Sequence, residues 1–320
     1  PLTYALPRVA VERYGQVWWR PEHIISNGAF RLSEFTATGG RLTRNPDYFG
    51  EFPGNLDRFE WTLSDSSAAV LQDYQAGQSD YASGVSWRDL PDDVPDSERL
   101  KGWALWTSAL TLIPTQPPLD DVRVRQAIAH AIDREKLFEA VYGKRLLWTG
   151  GGLVPPGMAG HSPEIGLEYN LAKARALLAE AGYPGGLNFP ILKYYYPEFS
   201  PRSLRDEIKQ QFLDHLGVHL DMVPMSSDVP WWTVKDAHLQ SGGWSADYPD
   251  PDNFLRQSSF FLTVRSRGWQ HPRFEQLLET AARTPDRAKR LAMYREADQI
   301  LVDEEVLAVP LSYIADTSPG

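Results

Sequence analysis

Residues 242–254 read Gly-Gly-Trp-Ser-Ala-Asp-Tyr-Pro-Asp-Pro-Asp-Asn-Phe, a stretch too apolar for a solvated loop that nevertheless carries three carboxylates. The paired glycines allow the backbone to pass close to another group. Trp244 and Tyr248 offer large flat surfaces, and Asp247 places an anion between them. A cationic group would fit among these side chains. A plain turn after a core strand is equally consistent with the stretch, because its last two carboxylates stand beside prolines.

The bulk composition favours a soluble two-lobed protein over a nucleic-acid or membrane-surface binder. A chain of 320 residues exceeds one average domain, so two lobes are expected, each with its own core. The formal charge of −10 and the pI near 5.2 disfavour nucleic acid and anionic membranes as partners, since both attract basic patches. The net negative charge also favours a monomer. The absence of cysteine excludes disulfides, thiolate metal sites and cysteine nucleophiles.

The hydrophobic pattern outside this stretch predicts an α/β architecture. Trp103–Ile113 is apolar enough for a buried strand, and residues 191–196, 204–216 and 218–222 follow as strand, helix and strand. In the first third of the chain, a hairpin is predicted with its turn at Gly39-Gly40. Near the end, Thr284 is predicted to begin a helix that runs to about Val302.

Motifs for catalysis, metal binding or phosphate binding are missing. The sequence has no Gly-x-Ser-x-Gly elbow, His-Glu-x-x-His helix, P-loop or dinucleotide fingerprint, and the triple glycine at 150–152 predicts only a loop. His215 and His219 straddle the helix-ending Gly217, which disfavours shared metal ligation. Asp247, together with the carboxylates at 250 and 252, remains a candidate acid and nucleophile pair for glycoside hydrolysis. Without a complete nucleophile, base and orienter set, we predict no catalytic residue, metal or cofactor.

Six motifs in order give the chain a close resemblance to a known family. The chain is similar to the oligopeptide- and dipeptide-binding proteins of ABC importers, extracellular solute-binding protein family 5, over nearly its whole length. The motifs lie at residues 27–32 (NGAFRL), 44–50 (RNPDYFG), 120–128 (DDVRVRQAI), 131–134 (AIDR), 172–184 and 243–254.

The resemblance implies a two-lobed periplasmic-binding-protein fold of the class II or cluster C type. Residues 1–107 would form part of lobe I, residues 108–313 a nearly complete lobe II, and residues 314–320 a return toward lobe I. The family's N-terminal part and C-terminal end are missing from this sequence, so we expect a fragment whose first lobe is incomplete. An incomplete lobe would favour disorder, repacking or self-association.

For function, the resemblance implies a non-enzymatic carrier that binds a peptide between its lobes and delivers it to the membrane permease of an ABC importer. Such a protein works outside the cytoplasm, in the periplasm or as a cell-surface lipoprotein, and meets the membrane only through a leader or lipid anchor outside this sequence. Oligosaccharides, nickel chelates and other cationic solutes are alternative ligands on the same fold.

The resemblance also assigns the ligand-binding residues. Asp247 aligns with the carboxylate that pairs with the free amino terminus of a peptide. Gly243, Trp244 and Ser245 would supply backbone hydrogen bonds to a ligand that adds as a strand. Tyr248 completes the predicted wall of the site.

Overall fold

The computed structural model describes residues 6–52, 54–85, 102–142, 150–226 and 228–316. The chain forms two compact units, one of residues 1–99 with 318–320 and one of residues 100–317. In the described part of the chain, no helix has the length and apolar character needed to cross a membrane.

The first unit contains a small antiparallel sheet in the order β1-β2-β3. Its elements are α1 (Arg8–Tyr14), β1 (Phe30–Thr36), β2 (Gly39–Arg44), β3 (Arg58–Thr62) and α2 (Ser67–Gln75), and Ser66 caps α2. The predicted hairpin turn at Gly39-Gly40 is wrong by two residues. Both glycines lie within β2, opposite Thr62 and Trp61, because the Trp61 ring covers Gly40 where a Cβ would stand.

The second unit is built on a mixed sheet in the order β6-β5-β7-β4-β8. Strand β4 is antiparallel to both neighbours, whereas β5 is parallel to β6 and β7. The strands are β4 (Gly102–Leu112), β5 (Leu192–Pro197), β6 (Leu220–Met225), β7 (Leu239–Ser245) and β8 (Ala308–Asp316).

Helices cover both faces of this sheet. Leu110 and Leu112 contribute to one buried cluster and Ala109 to another, so the two clusters lie on opposite faces of β4. Tyr194 belongs to the first cluster and Phe254 to the second. The helices are α3 (Val122–Ala131), α4 (Arg134–Tyr142), α5 (Leu171–Glu180), α6 (Arg202–Gln211), α7 (Ser259–Ser266), α8 (Pro272–Ala282) and α9 (Arg287–Gln299).

Arginines of the DDVRVRQAI and AIDR motifs tie helices to the sheet region. Arg125 is buried, donates to the carbonyl of Leu119 at 2.7 Å and pairs with the Glu305 carboxylate at 3.1 Å. Arg134 donates to the carbonyl of Pro310 in β8 at 2.8 Å. Burial lowers the pKa of Arg134 to about 10. These motif residues therefore stabilise the fold.

Two helix starts near the end of the chain differ from expectation. Asp286, rather than Thr284, caps α9, because its carboxylate accepts the backbone N–H of Lys289 at 3.1 Å. The Thr284 hydroxyl donates back to the carbonyl of Thr280 in α8. Helix α7 was not predicted at all, although Ser258 caps it.

Candidate functional site

The end of β7 is paired along one side only. On one side, β7 pairs with β4 from Leu239 to Ser245. On the other, it pairs with β5 only at Leu239 and Gln240. Beyond this point β5 continues beside β6. Among the described residues, no strand pairs with the β5-facing side of residues 241–245, which we call the open edge.

Alternate residues of the open edge aim their backbone groups outward. The N–H of Ile113 donates to the carbonyl of His238, and the N–H of Ala246 donates to the carbonyl of Leu105. Because hydrogen-bonded pairs alternate in an antiparallel ladder, the even-numbered residues of β7 face β4. The backbone groups of Gly243 and Ser245 therefore face away from β4, and both residues are exposed. The Trp244 backbone is engaged with β4.

The ring of Trp106 in β4 leaves no space for a side chain at position 243. A Cβ at this position would overlap the Trp106 ring, whereas a Cβ at Gly242 would meet only the Ser259 hydroxyl, at 3.9 Å. Trp106 lies opposite Ser245 in the ladder, so its ring lies diagonally across from Gly243. Gly243 is thus required by a close approach within the protein, next to the open edge.

Two hollows meet at this edge, one on each face of β7. The first, which we call the Leu204 hollow, has a volume of about 330 Å³ and is mainly apolar. Its wall includes Trp106 and Ser108, the cross-strand partners of Ser245 and Gly243, so it lies on the face of the odd-numbered residues of β7. The other main wall residues are Leu137, Phe199, Pro201, Leu204 and Leu311.

The second hollow, which we call the Trp231 hollow, has a volume of about 280 Å³. Gln240 and Trp244 line it, which places it on the face of the even-numbered residues. Met225, Val229, Trp231, Ser259, Phe260 and Thr263 complete most of its wall. Among the described residues, neither hollow is lined by a charged side chain.

A buried asparagine holds the segment that follows β7. Asn253 is fully buried, and its side-chain oxygen accepts the Trp244 indole N–H at 2.8 Å and the Asp247 backbone N–H at 3.2 Å. Its Nδ2 donates to the Asp247 carboxylate at 3.1 Å. Asp247 is otherwise exposed, so its carboxylate is oriented and remains accessible.

The later carboxylates of the stretch have partners inside the protein. Asp250 pairs with Arg290 at 2.7 Å, and its carboxylate accepts the backbone N–H of Asp252. Asp252 accepts hydrogen bonds from Arg256 and from the Tyr294 hydroxyl. Burial raises the pKa of Tyr294 to about 12. These two carboxylates hold the segment to α9, which agrees with a turn role.

The structure separates the predicted site residues into two groups. Gly243 and Trp244 line hollows, and Gly243 and Ser245 present backbone groups at the open edge. Asp247 and Tyr248 lie beyond the end of the strand and line neither hollow; the Tyr248 hydroxyl donates to Asp252 at 3.4 Å.

The sequence did not predict most of the residues that line the two hollows. Trp106, Phe199, Gln240 and Ser259 come from four separate segments, and only the sheet brings them together. The apolar run that predicts β4 contains Trp106, but the partner strand of β4 could not be identified from the sequence. In the described ranges, no group of three or more His, Cys, Asp or Glu is placed to hold a metal ion.

Comparison with known proteins agrees with this architecture. Residues 1–261 match the family model described as bacterial extracellular solute-binding proteins, family 5 Middle. The periplasmic oligopeptide-binding protein OppA of Escherichia coli is 26% identical over 333 residues, which cover 98% of this chain and 60% of that protein. Heme-binding protein A of Haemophilus influenzae is 27% identical over 282 residues, 82% of this chain and 50% of that protein.

A solved structure confirms the predicted fold class. The periplasmic binding protein DppA of Helicobacter pylori, in complex with the peptide STSA, superposes with a TM-score of 0.66 at 23% identity. The match covers 91% of this chain and 58% of that one. The chain thus spans about 60% or less of the length of these relatives. The chain belongs to the bacterial extracellular solute-binding proteins, family 5.

Proposed function

We propose that this chain is the ligand-binding part of an ABC importer's substrate-binding protein, and that it binds a peptide as an added strand along the open edge. The observation that carries the proposal is the unpaired side of residues 241–245, where Gly243 and Ser245 offer backbone donors and acceptors. An extended peptide satisfies such groups by main-chain hydrogen bonds, whatever its sequence.

Asp247 gives the bound peptide a direction. A peptide ammonium near this carboxylate gains a charge-assisted hydrogen bond that offsets the cost of its desolvation. Asp247 follows the C-terminal end of β7, so a peptide anchored there runs antiparallel to β7, from Ser245 toward Ser241. Asn253 holds the carboxylate in place for this contact.

The two hollows match the side chains of an added strand. Side chains of a strand point alternately to the two faces of its sheet. Ligand residues opposite Gly243 and Ser245 would face the Leu204 hollow, and those opposite Gly242 and Trp244 would face the Trp231 hollow. Uncharged walls on both faces favour ligands whose own charge is concentrated at the amino terminus.

The wider role follows from family membership. In this proposal, residues 1–107 belong to lobe I and residues 108–313 to lobe II, with residues 314–320 returning toward lobe I, and the ligand lies between the lobes. The protein carries no catalytic activity, works outside the cytoplasm in the periplasm or as a lipoprotein, and passes its ligand to permease subunits. Closure would be a hinge motion stabilised by the ligand.

Calorimetry with backbone-modified peptides tests the proposal. Tri- to pentaalanine should bind the full 320-residue chain, and N-methylation of a single ligand amide that faces Gly243 should weaken binding at least about tenfold, because it removes one bond and adds a clash. Methylation at the neighbouring amide, which points away from β7, is the matched control. Equal affinity for all methylated forms, or binding of oligosaccharides without any peptide, would contradict strand addition.

A further inference from the structure

The Trp231 hollow contains a buried hydrogen-bond acceptor that no described residue uses. Gln240 is 4% exposed and lines the hollow. Its Nε2 donates to the backbone carbonyl of Trp231 at 3.2 Å and lies 3.8 Å from the Met225 sulfur. Of the two ends of the glutamine amide, only the NH2 group can donate to a carbonyl, so this bond fixes the orientation of the amide. The Gln240 Oε1 atom is then an acceptor without a partner among the described residues.

A second unpartnered group lies in the wall of the same hollow. The Ser259 hydroxyl is buried and has no hydrogen-bond partner in the described structure. It lies 3.9 Å from the point where a Cβ of Gly242 would stand, which places the hydroxyl beside the backbone of the open edge. Gln240 and Ser259 therefore bring an unpartnered acceptor and an unpartnered hydroxyl to one hollow. The rest of its described wall is aromatic, aliphatic or hydroxyl-bearing and carries no charge.

Buried polar groups without partners are uncommon, and each one calls for an explanation. A ligand group that hydrogen-bonds to both would remove the cost of leaving them unpaired. The ligand group must be uncharged, since no charged side chain among the described lining residues could compensate a charge there. It must also carry a donor, because Gln240 Oε1 can only accept.

We propose that the Trp231 hollow is a selective subsite for an uncharged, hydrogen-bond-donating side chain, such as the amide of glutamine or asparagine. This inference rests on the proposed strand addition, which directs the ligand residues opposite Gly242 and Trp244 to this face. The side-chain amide N–H donates to Gln240 Oε1, and its carbonyl accepts from the Ser259 hydroxyl. The flat amide packs between Trp231 and Trp244.

The test is calorimetry on tetraalanine peptides in which one position at a time carries glutamine, methionine or glutamate. Methionine matches glutamine in length without its amide, and glutamate replaces the amide by a charge. We expect glutamine to exceed methionine by roughly tenfold in affinity at alternate positions only, and glutamate to be the weakest there. At the positions that face the Leu204 hollow, methionine should be preferred.

Two variants test whether Ser259 and Gln240 cause the preference for glutamine. Ser259→Ala removes the hydroxyl with little change in packing, and Gln240→Met removes the acceptor; each should reduce the glutamine preference to roughly threefold or less. Ser266→Ala, on the exposed end of the same helix α7, is the matched control and should retain it.

Two outcomes would overturn this inference in distinguishable ways. If all the peptides bind but glutamine has no advantage, or keeps it in both variants, the subsite assignment is wrong and strand addition stands. If none of the peptides binds, the proposed function itself fails, and the subsite fails with it.

Discussion

Two glycine-rich stretches of the second unit contain similar residues but differ in the hydrogen bonding of their backbone groups. In one stretch other parts of the protein bind these groups, and in the other the groups face outward. In the loop at residues 150–154, the buried Asp298 carboxylate accepts the backbone N–H groups of Leu153 and Val154. The Tyr313 hydroxyl donates to the carbonyl of Gly152 at 2.6 Å. At residues 242–247, Asp247 is exposed and the backbone groups of the open edge face outward.

The contrast shows that glycines, a carboxylate and an aromatic ring do not by themselves mark a binding site. The glycine loop uses its polar groups to hold itself against α9, so little is left for a ligand. The open edge leaves its polar groups unused by the fold. The degree to which the protein satisfies its own polar groups is therefore the property that distinguishes a structural segment from a candidate site.

The largest expected effect concerns the exposed carboxylate. Asp247→Ala should weaken the binding of a peptide with a free amino terminus by about 2 to 5 kcal/mol, as for other truncated charge pairs that are desolvated in a complex. Calorimetry measures this loss, and an acetylated peptide should show little difference between the two proteins.

Two further variants separate charge from positioning. Asp247→Asn keeps an acceptor for Asn253 and loses only the charge, so it should still bind free-amine peptides weakly. Asp221→Ala removes another exposed carboxylate, on β6, and should leave affinity unchanged. Unchanged affinity in Asp247→Ala would mean that Asp247 does not bind the ligand, so the two stretches would no longer differ in what their carboxylates do.

The buried carboxylate should control stability through pH. Burial raises the pKa of Asp298 to about 7, against bonds from Leu153 and Val154 that lower it. The folded state therefore holds a proton that the unfolded state releases near pH 4, so this group's contribution to stability falls as pH rises from about 4 to about 7. Between about pH 5 and pH 7 the fall should be of order 2 kcal/mol.

Urea denaturation at several pH values measures this fall, and Asp298→Asn should flatten it. Asp303 is the relevant neighbour, because burial raises its pKa as well and it contributes a slope of the same sign that the variant retains. An unaltered pH dependence in Asp298→Asn would show that Asp298 is ionised in the folded protein throughout this range.

The smallest expected effect is a difference in unfolding free energy between alanine substitutions at the two adjacent glycines of the open edge. Gly243→Ala should cost about 1 to 2 kcal/mol of unfolding free energy, because its Cβ must displace the Trp106 ring. Gly242→Ala is the matched control, with only the Ser259 hydroxyl near its new methyl group, and should cost a few tenths of a kcal/mol. Thermal unfolding followed by near-ultraviolet circular dichroism reports both stability and the Trp106 environment. Equal losses would mean that Trp106 does not set the requirement for glycine.

The fold was largely predictable from the sequence because local signals coincide with its elements. Asp121 and Asn170, residue types that favour helix N-caps, cap α3 and α5. The apolar run that predicted β4 is buried from Ala109 to Ile113, whereas Trp103 at its start is exposed. Helix α7 was missed because it is short and follows closely on a π-helical turn at residues 253–257, from which only the extended Ser258 separates it.

The candidate site was only partly predictable. Asp247 and Gly243 lie in one motif, but the open edge exists because β5 and β7 separate after Gln240, and strand pairing is not encoded within either strand. The role of Gln240 could not be predicted either, because it depends on a contact that forms only in the folded chain. Its Nε2 donates to the Trp231 carbonyl, and its Oε1 has no partner among the described residues.

The shortness of the open edge has a consequence for how the protein behaves in a crowded solution. Unpaired strand edges allow copies of a protein to join into intermolecular sheets and aggregate. This edge is five residues long, and two of them are glycines, which pair weakly in strands. Another copy would gain few bonds there. In the proposed strand addition, the same feature limits the number of backbone bonds that can hold a peptide, which favours fast dissociation.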